Sequence, residues 1–469
     1  MRSVVKIPLE VTVEQAAILD SQSKIANWLY NRLLETANTL RKQYREARAK
    51  GNQKRADEIS LTLYTQHGLR NLIPELKAAS PFVKAVYSSV LKNAALRLSK
   101  AIGDYQDSQH GRRQGKPVNW PRFRAWKRKW FSLQYDEPWK GYTLSGRELR
   151  LALGQNAAGK QLSVQVTLAE PLPSWVNHEH IRQCRIVKEG HLFSVVFTIE
   201  RMLPNGKPLR PDKIVALDPN HQNCAYAVGT DGKATEIHNP YFLEILDKRI
   251  DQLKSKRDRC KKKSRLMTRE DGSKFWLPSH RWLMLNAHLQ DLYRIRREQT
   301  KQFLYTVANR LYRDYDAVGM GDYVPHGGGI TKKMRRAMNN QSLNGRLKHV
   351  LAWVALRSGK QYLEWEESGS TRTCHDCGYV VADGIPPEIS EWHCPGESCT
   401  SHHIRDENAA RNGLTRTLKA LELPCSGRRE VSSRRAWRGV RARTHLRGPL
   451  TVLKQGPAAR NLNQNHDRF

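Results

Sequence analysis

No apolar run of about 18 residues, the length that crosses a bilayer as a helix, occurs anywhere in the 469-residue chain. A membrane-spanning role is therefore not expected. The stretch from Met1 to Glu10 alternates like a strand and lacks the continuous apolar segment of a signal peptide, so a cytoplasmic protein is expected. Acid is scarce as well. There are 45 Asp and Glu against 80 Lys and Arg, a formal net charge of +35. An excess of that size opposes folding by self-repulsion unless a polyanion offsets it. It points to a nucleic-acid partner with salt-dependent binding. Cysteine is sparse too: eight in all, of which Cys184, Cys224, Cys260 and Cys425 are scattered as in a reducing compartment.

The other four cysteines carry the most specific signal. Cys374 and Cys377 form one C-x-x-C knuckle, and Cys394 and Cys399 a second, looser one. Four thiolates at this spacing close a tetrahedral structural Zn²⁺ site with no open position, and suit a metal better than two disulfides. Directly after them, R-D-E-N-A-A places Asp406 at the start of a helix-like run.

Around this motif the chain divides by pattern. A strand-like Val4–Val13 gives way to helical periodicity from Glu14 to about Ala101, with Ile18, Ile25, Leu29 and Leu33 expected on one face. Residues 105–131 break that pattern with Gly and Pro and interleave Arg122, Arg124, Lys127 and Arg128 with Trp120, Phe123, Trp126, Trp130 and Phe131. Cations on phosphate and rings on bases would make this a nucleic-acid surface; the alternative is that the rings are core and only the cations face out. Short strands such as Leu162–Leu168 and Phe193–Ile199 follow, then a Pro/Gly linker at Leu203–Pro211. The second half opens on the buried-strand run I-V-A-L-D-P-N, ending in Asp218. A basic region expected to be helical runs from Tyr241 to Arg313 and includes Lys261, Lys262 and Lys263. The strand Y-D-A-V-G-M-G-D, a helix over Ser342–Arg357 and the strand Gln361–Glu366 lead into the cysteines. The Arg-rich tail is expected to be a mobile basic arm.

This order resembles the TnpB proteins of insertion sequences and the compact type V CRISPR effectors related to them. The similarity rests on T-V-E-Q (Thr12–Gln15) followed by A-N-W-L-Y-N-R-L-L, on G-K-P-V-N-W-P-R-F-R (Gly115–Arg124), and on S-T-R-T-C-H-D-C-G and R-D-E-N-A-A. The resemblance implies a multidomain α+β fold. Residues 1–13 and 111–202 would form a wedge-like β-barrel, with a helical recognition domain inserted at 14–110. Residues 211–370 would form an RNase H-like RuvC α/β domain carrying a zinc ribbon at 371–403. Its final helix would lie at 404–423 and the basic tail at 424–469. It also implies a prokaryotic, nucleoid-associated monomer that binds a guide RNA and a double-stranded DNA target.

Nucleases of this family cut with an Asp, a Glu and an Asp that hold two Mg²⁺ ions. By resemblance Asp218 takes the first place and Asp406 the third. The middle place, where the family has Y-D-x-I-x-x-E-D-L, is here Gly321. Asp322 is adjacent, but a one-residue slip on a strand turns a side chain to the other face unless Gly321 forms a bulge. The expected replacement is Glu364 or Glu366 on the following strand, entering the room Gly321 leaves, with Glu367 pointing away. The alternative is that these glutamates merely solvate a strand end. Two functions follow: an RNA-guided DNA endonuclease with a relocated carboxylate, or an RNA-guided DNA-binding protein that does not cleave and acts as a roadblock or repressor. A DNA-joining transposase fits the resemblance less well.

Overall fold

The computed structural model describes residues 2–423 apart from 114, 125–130, 157, 221–222, 269–271, 273, 323–341 and 387. The expected nucleic-acid contacts Trp126, Lys127 and Arg128, and the basic tail, lie outside the described residues. The chain forms two compact units, Met1–Met202 with Lys254–Arg294, and Leu203–Leu253 with Ile295–Phe469.

In the first unit, strand β1 (Arg2–Glu10) is followed by helices α1 (Val13–Ala49), α2 (Gln53–Leu63), α3 (Ile73–Ala79) and α4 (Ser88–Gln109). Thr12 starts α1 with a reciprocal capping box: its hydroxyl accepts from the Gln15 backbone, while the Gln15 side chain accepts from the Thr12 backbone. The buried stripe of α1 runs through Leu19, Ala26, Leu29 and Leu33, so Ile18 turns outward instead of joining it. After the helices come β2 (Leu133–Tyr135), β3 (Tyr142–Ser145), β4 (Glu148–Gln155), β5 (Gln161–Leu168), β6 (Ile181–Glu189) and β7 (Leu192–Glu200). The sheet order is β2-β6-β7-β1-β5-β4-β3, with every pairing antiparallel. β1 is the hinge of this sheet, pairing β7 through Pro8 and β5 from Leu9 onward.

The second unit contains β8 (Ile214–Pro219), β9 (Ala225–Gly229), β10 (Ala234–Ile237) and the first part of α5 (Phe242–Arg259). The region expected to be helical is interrupted by a hairpin of β11 (Arg265–Thr268) and β12 (Lys274–Leu277) before α6 (His280–Asp314) resumes. Then follow β13 (Ala317–Gly321), α7 (Asn344–Ser358), β14 (Gln361–Trp365), β15 (Glu391–His393), β16 (His402–Ile404) and α8 (Arg405–Ala420). The sheet order is β10-β9-β8-β13-β14; β8, β13 and β14 are parallel, so their carboxyl ends share one edge. Val215, Leu217, Val318 and Met320 face α7, packing with Leu347, Leu351 and Val354. Ile214 and Ala317 face α8 through Leu418. Alternation then assigns Asp218 to the α8 face.

Glycine brings α8 close to the sheet. A Cβ on Gly319 would lie 2.1 Å from Thr417 Oγ1, and one on Gly413 would lie 2.4 Å from the Trp365 ring. Either alanine would force the helix off the strands, a strain of about 1–3 kcal/mol.

Candidate active site and metal centre

Three acids gather where β8 and β14 end and α8 begins. Asp218 closes β8 and is 5% exposed. Asp406 stands in the first turn of α8, where the helix dipole favours a negative charge. The third acid is Glu367, two residues past the end of β14. Register explains why. Met320 pairs with Glu364 and Gly321 with Trp365, so Glu364 takes Met320's face and Trp365 takes Gly321's. Two residues beyond Trp365, alternation returns Glu367 to the Gly321 side. A Cβ on Gly321 would lie 2.8 Å from Glu367 Oε1 and 2.8 Å from Pro219 Cδ, so the absent side chain is what gives the glutamate its place.

Glu364 does not come to the acids. On the α7 face it accepts from Lys348 Nζ at 2.8 Å and from the Tyr362 hydroxyl at 3.1 Å. The Glu366 side chain is exposed, and its backbone carbonyl accepts from Arg416. The expectation that Glu364 or Glu366 enters while Glu367 points away put Glu364 on the Gly321 side, whereas the register puts it beside Met320. The structure brings Glu367, not either of them, against Asp218.

The electrostatics match this crowding. Burial, then the negative charges of Glu367 and Asp406, push the Asp218 carboxyl well above its ordinary value, while the Arg405 guanidinium opposes them. Burial likewise raises Glu367 to about 7; its hydrogen bond with Asp218 and the Lys348 charge pull the other way, and Asp322 adds to the rise. Two neighbouring carboxyls in poor contact with water favour sharing a proton unless a cation joins them.

The Glu367 turn is held on both sides. The Asp322 carboxylate accepts from the Glu367 backbone N–H at 3.0 Å, and the Asp322 N–H donates to the Trp365 carbonyl at 3.0 Å. Arg416, on α8, donates to the Glu366 carbonyl and, at 3.0 Å, to the Ser368 carbonyl. Asp322, which sequence reasoning weighed only as a catalytic acid, thus fixes the peptide that carries Glu367. Asn220 donates to Asp406 Oδ2, and Arg405 Nη2 lies 3.1 Å from Asp406 Oδ1.

The four cysteines converge with all four sulfurs within 4.8 Å of one another. Cys374 and Cys399 sulfurs are 3.9 Å apart and Cys377 and Cys394 sulfurs 3.5 Å. Zn–S bonds of about 2.3 Å in a tetrahedron place sulfurs about 3.8 Å apart, so the cluster could hold Zn²⁺. Backbone N–H groups of Tyr379 and Gly396 lie 3.5 and 3.4 Å from Cys377 and Cys394 sulfurs. Burial pushes the Cys374 thiol up to about 12, whereas hydrogen bonds with Ser401 bring Cys399 down to about 6. His403 Nε2 sits 3.0 Å from the Cys374 sulfur.

Two asparagines join this cluster to the acid-bearing helix. Buried Asn408 donates to the Ser370 and Thr373 carbonyls and accepts from the His375 backbone N–H at 3.0 Å; Asn412 donates to the same two carbonyls. The first cysteine knuckle is therefore clamped to α8 within the two turns that follow Asp406. The N-A-A of the sequence motif reads structurally as one polar clamp followed by two small buried residues, Ala409 and Ala410.

The expected nucleic-acid residues separate into kinds. Arg122 is exposed. Arg124 is instead a strut of the first unit. Its guanidinium lies over the Tyr30 ring at 3.7 Å and donates to Asn27, and its backbone exchanges hydrogen bonds with Asn31. Trp120 donates to Asn38 and Phe131 packs on Phe193, while Phe123 remains outside, so the aromatic set is divided between core and surface. Lys261, Lys262 and Lys263 are all exposed.

Among the described residues no helix is long and apolar enough to cross a membrane. Residues 345–413, the segment holding Glu367, the cysteines and Asp406, match the family model "Cas12f1-like, TNB domain". Among solved structures, the chain is similar to a Cas12f1–sgRNA–target DNA complex at 11% identity and a TM-score of 0.49, over 86% of this chain and 82% of that one. It is also similar to the mini-RNA-guided endonuclease CRISPR-Cas_phi3, at 10% identity and a TM-score of 0.33 over 59% of each chain. For an AacC2c1–sgRNA binary complex the values are 10% identity and 0.35, covering 84% of this chain and 70% of that one. No curated protein matches the chain.

Proposed function

We propose that the chain is an RNA-guided DNA endonuclease, a relative of TnpB and the compact type V effectors, with Asp218, Glu367 and Asp406 as its catalytic acids. The observation that carries this reading is the Glu367 carboxylate, which occupies the room left by Gly321 and meets Asp218. A strand-end glutamate that only solvates its surface has no reason to approach a buried aspartate.

The donor set is chemically suited to Mg²⁺, which prefers carboxylate oxygens. Two divalent cations held by the three acids would supply Lewis acidity toward a scissile phosphodiester. The chain's own residues do the positioning. Asn220 and Arg405 orient Asp406, Asp322 and Arg416 fix the Glu367 turn, and burial keeps Asp218 out of bulk water. The cysteine cluster, holding Zn²⁺, would stiffen the knuckle that Asn408 and Asn412 clamp to α8. The net charge of +35 and the family match over 345–413 support the polynucleotide partners, a guide RNA and a double-stranded DNA target.

The test is direct. RNA copurifying with the protein is sequenced and used to choose a matched DNA target, and cleavage is assayed with Mg²⁺ or Mn²⁺. Cleavage by wild type and none by Asp218→Ala supports the reading. Stable, guide-dependent binding without cleavage under any divalent cation would replace it with the roadblock function.

A further inference from the structure

The hairpin β11–β12 is sparsely covered. All four residues of β11 are exposed, as are three of the four in β12. Leu266 is 50% exposed, Met267 42%, Trp276 51% and Leu277 41%. Leu266 pairs with Trp276 and Met267 with Phe275, so apolar side chains stand on both faces of one two-stranded ribbon. On α6 just beyond it, Leu283 and Met284 are exposed as well. A contiguous exposed apolar patch on a protein surface marks a contact surface.

Charge selects the occupant. From Lys254 to Arg281 the sequence holds eleven Lys or Arg against three acids. Lys261, Lys262, Lys263, Arg265 and Lys274 on and beside the ribbon are exposed. Protein interfaces deplete such charge from their cores, whereas a single-stranded polynucleotide offers phosphates for the lysines and open base faces for the apolar side chains. Paired bases in a duplex keep those faces stacked away.

We propose that this hairpin is a binding site for unpaired nucleotides, with Trp276 and Leu266 against bases and the flanking lysines on the backbone. The inference rests on the polynucleotide partners proposed above and is independent of cleavage.

The full-length protein, stripped of RNA, is titrated with a fluorescent single-stranded RNA, a single-stranded DNA and a duplex DNA of equal length. Leu266→Ala with Trp276→Ala should weaken single-strand binding about tenfold and leave the duplex unchanged. Lys261→Ala, Lys262→Ala and Lys263→Ala together should weaken all three and flatten the salt dependence. The larger loss between RNA and DNA identifies which strand is held. With wild-type protein, photo-crosslinks from iodouracil-substituted strands should map to residues 265–277, a readout that no folding defect can mimic. Unchanged single-strand affinity with no crosslink to the hairpin overturns the proposal. So does a wild-type dimer that the double variant converts to monomer at unchanged affinity, since the patch then belongs to a second copy of the chain. Wild type that binds none of the three strands overturns the polynucleotide reading itself.

Discussion

Glu367→Gln should separate the two consequences of a carboxylate placed against Asp218. Without a divalent cation the arrangement opposes folding. Burial raises the Glu367 carboxyl from its ordinary 4.5 to about 7, so its ionised form is disfavoured in the folded protein. A carboxyl moved that far costs roughly 3 kcal/mol when ionised. The side chain is only partly buried, and solvent screening reduces the figure to about 1–2 kcal/mol. The sign follows from the direction: the penalty is absent below pH 4.5, where the group is protonated folded or unfolded, grows as pH rises, and is complete above about 7. Metal-free Glu367→Gln should therefore unfold at higher temperature than wild type at pH 8, with the difference vanishing near pH 4. Adding Mg²⁺ should stabilise wild type and leave the variant nearly unmoved, and guided cleavage should fall to the level of Asp218→Ala. Thermal melts across pH with and without Mg²⁺, beside a cleavage gel, read all three. A variant that cleaves like wild type, or a stability difference that is the same at pH 4 and pH 8, would refute the reasoning.

Other substitutions probe the supports. Arg416→Ala removes the Nη1 donor of both hydrogen bonds to the Glu367 turn and Asp322→Ala removes its N–H acceptor; each should cut the cleavage rate about tenfold through loss of positioning while zinc content stays unchanged by elemental analysis. Cys374→Ser should release Zn²⁺ and loosen the Ser370–Thr373 clamp on α8, lowering cleavage more than RNA binding. In wild type, zinc retention should fall as pH drops, because protons compete for thiolates. Gly321→Ala should displace Glu367, whose Oε1 would be 2.8 Å from the new Cβ, and depress cleavage. Gly321→Glu combined with Glu367→Ala should recover more activity than Gly321→Glu alone.

What the sequence revealed about this site divides according to how local the determining contacts are. Cys374, Cys377, Cys394 and Cys399 announce themselves because metal ligation imposes spacing within a few residues. Asp218 and Asp406 stand at the end of a buried-strand run and at a helix start, and the family resemblance is what pairs them. Glu367 could not be placed, because its direction depends on the pairing of Gly321 with Trp365 across two strands that 39 residues of sequence separate. Counting period two along β14 was sound, but the count needed an origin, and only the parallel register supplies one. A signal was present in Trp365 itself: a large ring at a strand end requires an empty position opposite, and Gly413 on α8 provides it. Placing Trp365 toward α8 would have sent Glu367 to the same side and Glu364 to Lys348. Arg124 misled for a related reason. A guanidinium in a basic run reads as surface until Tyr30 and Asn27, nearly a hundred residues earlier, are known to enclose it. The helical reading of 241–313 holds for Phe242–Arg259 and His280–Asp314 and missed only the hairpin between them, since alternation over four-residue strands is too short to outweigh the basic helical pattern on either side. The site was thus legible wherever one segment fixes a side chain. It became illegible where α8, through Gly413, Arg416, Asn408 and Asn412, draws β14, the Glu367 turn and the cysteine knuckle into one frame, because no single segment encodes that frame.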